Sequence, residues 1–351
     1  MRVDSKVLGG FLIASILVSS LAMIFPPYNH VVNRSEGYLF TFAQITDTHV
    51  LGSNLIFENI TLWLAQKGNV SFVVHMGDIV GSLNDEGSWK NAYNYMHQLD
   101  SKCSWGILAG DDDVIRQNQV DLRNFEKYFG SNSSDQYFII KEKLLFILFS
   151  WTNVDGSISK ERLEWMDNVL QMHSDLPTVI CLHPTLFGLP ILTNIVGTPN
   201  EAEIWTHIDK HENVIMILSG HAHYNWIRVR DNGKNEVWCM STEWLNAKGY
   251  ARLFDVYEDR IEVYAYSAWK GKSFTGPLDC FTVSLTSSQH DSDGDFWSNG
   301  IDIMPTHPMV PNVLIIQASL TIAIIIYWVK KYEPYRGKKP YRTKCSLFLI
   351  L

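Results

Sequence analysis

Five short stretches of the chain carry side chains that bind cations, and each follows an apolar run. They are Asp47-Thr-His49, Gly77-Asp78, Gly110-Asp111-Asp112-Asp113, His183-Pro184 and Gly220-His221-Ala-His223. Imidazole and carboxylate together suit Zn, Mn or Fe. Residues two apart, as in Asp47/His49 and His221/His223, do not adjoin on a helix. Both pairs fall where a strand is expected to end, so a turn must aim them. Each piece alone has a plain structural reading, since Asp favours turns in any case. The signal lies in their order and placement together.

The elements that must hold these residues can be read around Asp78. Phe72 to Met76 is mostly apolar, with β-branched Val73 and Val74, the pattern of a buried strand. Gly77 permits a sharp turn. Asp78 then sits at the carboxyl edge of a sheet, where α/β folds bind ligands. Tyr38 to Ile45 and Trp105 to Leu108 read as further strands, with helices over Asn54 to Lys67, closed by Gly68, and around Trp89 to Leu99. This alternation predicts a parallel βαβ core. In the second half, strands are expected at Tyr137 to Ile140, Leu144 to Trp151, Thr178 to Leu182 and Val214 to Leu218, with a helix over Ser159 to Gln171 opened by Ser159. From Trp226 to Leu285 short strands dominate: Ile227 to Arg230, Glu236 to Met240, Arg252 to Tyr257 and Ile261 to Tyr266. The expectation is α/β: a second sheet packed on the first, with helices outside.

The five stretches, in this order, resemble the calcineurin-like metallophosphoesterases, whose motifs run Asp-x-His, Gly-Asp, Gly-Asn-His-(Asp/Glu), His and Gly-His-x-His. The likeness covers Tyr38 to Leu285. Phe125 to Gly130 and Ile158 to Trp165 are softer echoes of it. The resemblance implies a two-sheet β-sandwich flanked by helices and a site for two divalent or mixed-valence ions (Mn, Fe or Zn). Asp47, His49 and His223 would hold one ion, and Asp111, His183 and His221 the other, with Asp78 bridging. Such a pair polarises a phosphoryl group and activates a water, so hydroxide attacks a phosphomonoester or phosphodiester in line. The third motif departs from the family: Asp111 replaces its Asn and Asp112 its His. Asp112 would stand near the leaving group as an anion with no proton to give. That implies either a preference for good leaving groups or weakened catalysis. Asp113 is expected to bond backbone near its loop.

The remaining features bound the setting. With 46% hydrophobic residues, 351 residues can bury a sizeable core. Without its first six residues and its Lys330 to Lys344 tail, the chain has 20 basic against 35 acidic residues. That balance argues against a nucleic-acid duplex as partner. Val7 to Phe25 and Val313 to Val329 carry no charge. The first reads as a cleaved signal peptide or a retained anchor, the second as a transmembrane helix followed by a basic cytoplasmic tail. The middle would then lie outside the cytoplasm. Sequons at Asn33, Asn59, Asn69 and Asn132 fit that placement. Cys181 and Cys239 read as buried free thiols, and Cys103, Cys280 and Cys345 show no CxxC spacing. His75 reads as a core or supporting histidine. His30, His97, His173, His207, His211, His290 and His307 read as surface. Trp151, Trp226 and Trp244 are candidates either for the cleft wall or for the core.

Between 291 and 302, Asp291, Asp293, Asp295, Asn299 and Asp302 fall at calcium-loop spacing. The run resembles the loops of dockerin and thrombospondin type 3 repeats. It either binds Ca²⁺ or is an acidic solvated linker. The expected organisation is 1–25 apolar leader, 26–37 linker, 38–285 phosphoesterase-like domain, 286–312 stalk, 313–329 membrane span and 330–351 tail. Two functions stay open: a membrane-anchored, extracytoplasmic phosphoesterase, or a surface binding protein that keeps the fold without turnover.

Overall fold

A computed structural model describes residues 36–285, apart from 131–134, 187–196, 224, 232–235, 246–248, 268–271 and 275–280. Both uncharged segments, the 291–302 loop, the sequons at Asn33 and Asn132, and Cys280 and Cys345 lie outside the described residues. No helix among the described residues is long and apolar enough to cross a membrane.

The first half alternates as expected: β1 (Tyr38–Ile45), α1 (Leu55–Gln66), β2 (Val70–His75), α2 (Glu86–His97) and β3 (Ser104–Ile107). Asn54 caps α1 by accepting from the Ile56 and Phe57 amides, and Gly68 leaves the helix at a φ of 74°. α2 starts three residues before its expected first residue, because Asp85 caps it through the Gly87 amide. A four-residue turn, α3 (Asp111–Val114), carries the third motif. The two-residue strands β4 (Ile115–Arg116) and β5 (Gln119–Val120) follow as a hairpin, and then α4 (Arg123–Phe129).

The second half supplies β6 (Asp135–Ile140), β7 (Leu144–Phe149), α5 (Lys160–Met172), β8 (Thr178–Leu182), α6 (Glu201–Ile208), β9 (Val214–Ser219), β10 (Trp226–Asp231) and β11 (Glu236–Ser241). Last come β12 (Tyr250–Tyr257), β13 (Arg260–Ser267), β14 (Lys272–Phe274) and β15 (Phe281–Ser284). Ser159 sits at the N-cap of α5, but its side chain accepts no capping hydrogen bond.

Two mixed sheets result. One runs β14-β13-β12-β1-β2-β3, with β15 also on β13, and the other runs β10-β11-β9-β8-β7-β6. β1, β2 and β3 are parallel neighbours, as are β7, β8, β9 and β11. Their facing sides share one core that includes Phe42, Phe72, Phe146, Cys181, Met216 and Phe254. Each large side chain buried there stabilises the sandwich by about 1.5–3 kcal/mol. The outer face of the first sheet packs on α1 and α2 through Phe57, Ile60, Trp89 and Met96. The outer face of the second packs on α5 and α6 through Leu163, Met166, Ile204 and Ile208. This is the expected sandwich between helical layers, and it brings the carboxyl ends of β1, β2, β3, β8 and β9 to one edge.

Cys181 and Cys239 are buried free thiols, as expected, and Cys103 is a half-buried free thiol. His207 and His211 depart from the surface reading. Both are partly buried where α6 meets α5, and both pair with Asp167, at 2.7 and 3.0 Å. Asn59 is exposed on α1. Asn69 spends its side-chain amide on Tyr38 and Thr41 hydroxyls.

Candidate metal centre

Each strand end that reaches this edge hands over a donor just past its last ladder residue. Asp47 and His49 follow β1, Asp78 follows β2, Asp111 opens α3 after β3, His183 follows β8, and His221 with His223 follows β9. Asp47, His49, Asp78, His221 and His223 have φ values of 52°, 38°, 51°, 60° and 57°. That left-handed backbone is strained for residues other than glycine and is concentrated here, as it is at functional sites. It is the turn that lets residues two apart converge.

The turns are held by backbone bonds between strands. Asp47 donates its amide to the Gly77 carbonyl, His49 to that of Asp78, and Gly220 to that of His183. Two glycines are needed for closeness. A Cβ at Gly110 would lie 2.2 Å from Asp78 Oδ1, and one at Gly220 would lie 2.1 Å from Thr46 Oγ1.

The donors form two groups that share one member. Asp47, His49, Asp78 and His223 offer ligand atoms within 4.8 Å of one another, and so do Asp78, Asp111, His183 and His221. In the first group, His223 Nε2 is 3.1 Å from Asp47 Oδ1 and 3.2 Å from His49 Nε2. In the second, His183 Nε2 is 3.2 Å from Asp111 Oδ1 and 3.3 Å from Asp78 Oδ2, and His221 Nδ1 is 3.0 Å from Asp111 Oδ1. Donors about 2.1 Å from one ion are themselves about 3–3.5 Å apart, so the spacing suits a shared cation. Asp111 Oδ1 and His183 Nε2 are buried, yet neither makes a properly directed hydrogen bond. Buried polar atoms without partners are costly. A cation between them would satisfy both, so the residues fit a two-ion site.

The electrostatics agree. Burial pushes the Asp78 carboxyl above its ordinary value, and the nearby Asp111 and Asp47 carboxylates add to this against the opposing His183. Burial also acts to raise Asp111, but His183 and His221 outweigh it and hold that carboxyl well below the usual range. His183 resists its burial and is raised well above 6.5, chiefly by Asp78 and Asp111. Among the described residues these carboxylates crowd together with imidazoles to balance them, a charge arrangement that favours cations.

A layer of supporting contacts aims the donors. His183 Nδ1 lies 2.6 Å from the Met76 carbonyl, which fixes the proton there and leaves Nε2 facing Asp78 and Asp111. Asp47 accepts from Thr46 Oγ1 and from the His221 amide. Asp78 Oδ1 accepts the Asp112 amide at 3.0 Å. Asp113 makes the backbone bonds expected of it: Oδ1 accepts from Ile79 and Val80 at 2.9 and 3.1 Å, and Oδ2 from Gly110 at 2.9 Å. His75 is a buried supporting histidine whose Nε2 is 3.0 Å from Thr48 Oγ1. Burial pushes it down to about 3, so it is neutral.

Two of the three candidate tryptophans flank the site. Trp244 stacks on His223 with centroids 4.6 Å apart, and Trp151 lies 5.4 Å from His221. Trp226 packs against the outer core instead. Asp112 is not buried with the two donor groups. Its side chain is 55% exposed, and Oδ2 lies 3.3 Å from His49 Nδ1. The Met76 carbonyl carries no side-chain signal that the sequence could show.

No family model matches the chain. An uncharacterized protein of Bacillus subtilis is 29% identical over 290 residues, 70% of this chain and 22% of that protein. The chain therefore spans less than a quarter of that relative. A 3′,5′-cyclic-nucleotide phosphodiesterase of Nostoc is 26% identical over 212 residues, 56% of this chain and 77% of the relative. Among solved structures, a dimetal phosphatase from Danio rerio matches with a TM-score of 0.53 at 16% identity, covering 71% of this chain and 100% of that one. The resemblance to the calcineurin-like metallophosphoesterases thus holds in fold as well as in motif order.

Proposed function

We propose that this chain hydrolyses phosphoesters at a centre for two metal ions, with Asp47, His49 and His223 around one, Asp111, His183 and His221 around the other, and Asp78 between. One observation carries the reading: two donor groups share Asp78, and inside one of them Asp111 Oδ1 and His183 Nε2 are buried without a directed hydrogen bond. The mixed imidazole and carboxylate donors suit Mn, Fe or Zn. Bound ions would polarise the phosphoryl group and lower the pKa of an attacking water.

The protein's own part is placement. Left-handed turns aim Asp47, His49, Asp78, His221 and His223. The Met76 carbonyl fixes the His183 tautomer. Asp113 ties the Asp78 loop to α3. Position 112 offers no imidazole to protonate a leaving group, so the reading favours phosphoesters whose leaving groups depart unaided. Losing a general acid costs about 10²–10⁴-fold on poor leaving groups. The likeness to a 3′,5′-cyclic-nucleotide phosphodiesterase supports a phosphodiester as the substrate class.

The setting belongs to the same proposal. The uncharged stretches at 7–25 and 313–329 and the basic tail support a membrane-anchored protein with this domain outside the cytoplasm. The acidic run at 291–302 supports a calcium-ordered stalk. A second reading, a binding protein without turnover, rests on Asp112, which faces His49 and offers no acid. Hydrolysis of bis-p-nitrophenyl phosphate by full-length protein of known metal content separates the two. Turnover that tracks metal content supports the enzyme, and two bound ions without turnover support the binding protein.

A further inference from the structure

The replacement at position 112 removes an imidazole, and the structure shows what stands in its place. A histidine that binds a metal through Nε2 must keep its proton on Nδ1, and a partner on Nδ1 fixes both tautomer and ring orientation. For His183 that partner is the Met76 carbonyl at 2.6 Å. For His49, whose Nε2 faces Asp47, Asp78 and His223, the group at Nδ1 is Asp112 Oδ2 at 3.3 Å. The same residue donates its amide to Asp78 Oδ1. Asp112 therefore touches a donor of the first ion with its side chain and the shared donor with its backbone.

Resting on the two-metal reading, we propose that Asp112 is a positioning residue for the first ion: its carboxylate accepts the Nδ1 proton of His49 and holds Nε2 toward Asp47, Asp78 and His223. The departure from the family motif is then a change of task. The residue that would have faced the leaving group now fixes a ligand. Position 112 is the second residue of the short α3 turn, and the backbone bond to Asp78 keeps that turn against the site, so the carboxylate reaches His49 from a fixed base. The contact is selective. Asp112 approaches His49 of the first group, whereas the second group's His183 already has its own Nδ1 partner.

The test is Zn²⁺ titration by calorimetry of metal-stripped full-length protein, comparing wild type with Asp112→Ala and Asp112→Asn. Loss of a group that orients a ligand typically weakens metal affinity about 10–100-fold. The expected result is that Asp112→Ala weakens one of two binding steps by that factor and leaves the other within about threefold. Asp112→Asn, which still accepts through its amide oxygen, restores most of the loss. In the Zn²⁺-loaded wild type, ¹⁵N-imidazole NMR shows a hydrogen-bonded Nδ1 proton on His49, and Asp112→Ala loses it.

Unchanged affinity in both variants overturns the proposal. So does equal weakening of both steps, or an Asp112→Asn loss as large as that of Asp112→Ala, because either marks a charge acting through its field. If the wild type itself fails to bind two ions, the two-metal reading falls and this proposal with it. Two ions in the wild type with no response at position 112 removes the positioning role alone.

Discussion

Asp113 braces the loop that carries the shared ligand Asp78. It is fully buried and accepts three backbone amides, from Ile79, Val80 and Gly110. The first two follow Asp78 directly, and the third belongs to the turn that carries Asp111 and Asp112. Truncation in Asp113→Ala leaves three buried donors unsatisfied, at about 1–3 kcal/mol each. The carboxylate's own burial is unfavourable, and burial together with Asp78 pushes it up to about 7, so its removal gives part of the loss back. The net expectation is a loss of about 3–6 kcal/mol, a large part of a stability that is typically about 5–15 kcal/mol. Asp113→Asn keeps an oxygen for Ile79 and Val80 but turns an NH₂ against the Gly110 amide, and should lose about 1–3 kcal/mol. Urea unfolding of the metal-stripped protein measures both. A loss below about 1 kcal/mol in Asp113→Ala would refute the claim that this carboxylate ties the two loops together.

Two further outcomes follow from the same layer. His75 is neutral when folded, at about 3, and ordinary at 6.5 when unfolded, so the unfolded chain binds the extra proton between those values and stability falls as pH drops below 6.5. The slope from this group is about 1.4 kcal/mol per pH unit, and unfolding of the metal-stripped protein between pH 6.5 and 4.5 should be shallower by that amount in His75→Gln; an equal slope contradicts it. In Gly220→Ala the added carbon would lie 2.1 Å from Thr46 Oγ1 and 2.6 Å from Asp47 Oδ2. That variant should fold but lose metal affinity by about tenfold or more, read by Zn²⁺ titration, and retained affinity would show that the β1 and β9 turns have room to part.

The site's residue types were legible because each donor closes an apolar run, and a strand end is visible in sequence. The parallel core around Asp78 was legible for the same reason: Tyr38 to Ile45, Phe72 to Met76 and Trp105 to Leu108 are short and apolar, with helical stretches between. Element ends moved by a few residues where a cap decided them, as Asp85 does for α2. The rest depended on distant contacts. The Met76 carbonyl under His183 is 107 residues away in sequence and has no side chain to announce it. His207 and His211 read as surface until α6 packs on α5 and brings Asp167 to them. The resemblance places Asp112 near the leaving group, and its 3.3 Å approach to His49 Nδ1 was not legible, because a motif position states where a residue sits along the chain and leaves open which way the α3 turn points it.

In the proposed function two cations sit between these strand ends and perform the chemistry. Metal content of purified full-length protein, measured beside bis-p-nitrophenyl phosphate hydrolysis for wild type and Asp78→Ala, tests it most directly. Two ions per chain and metal-dependent turnover are expected in the wild type, with no more than one ion and loss of turnover when Asp78 is removed. Two ions retained in Asp78→Ala, or turnover that survives complete metal removal, would contradict it.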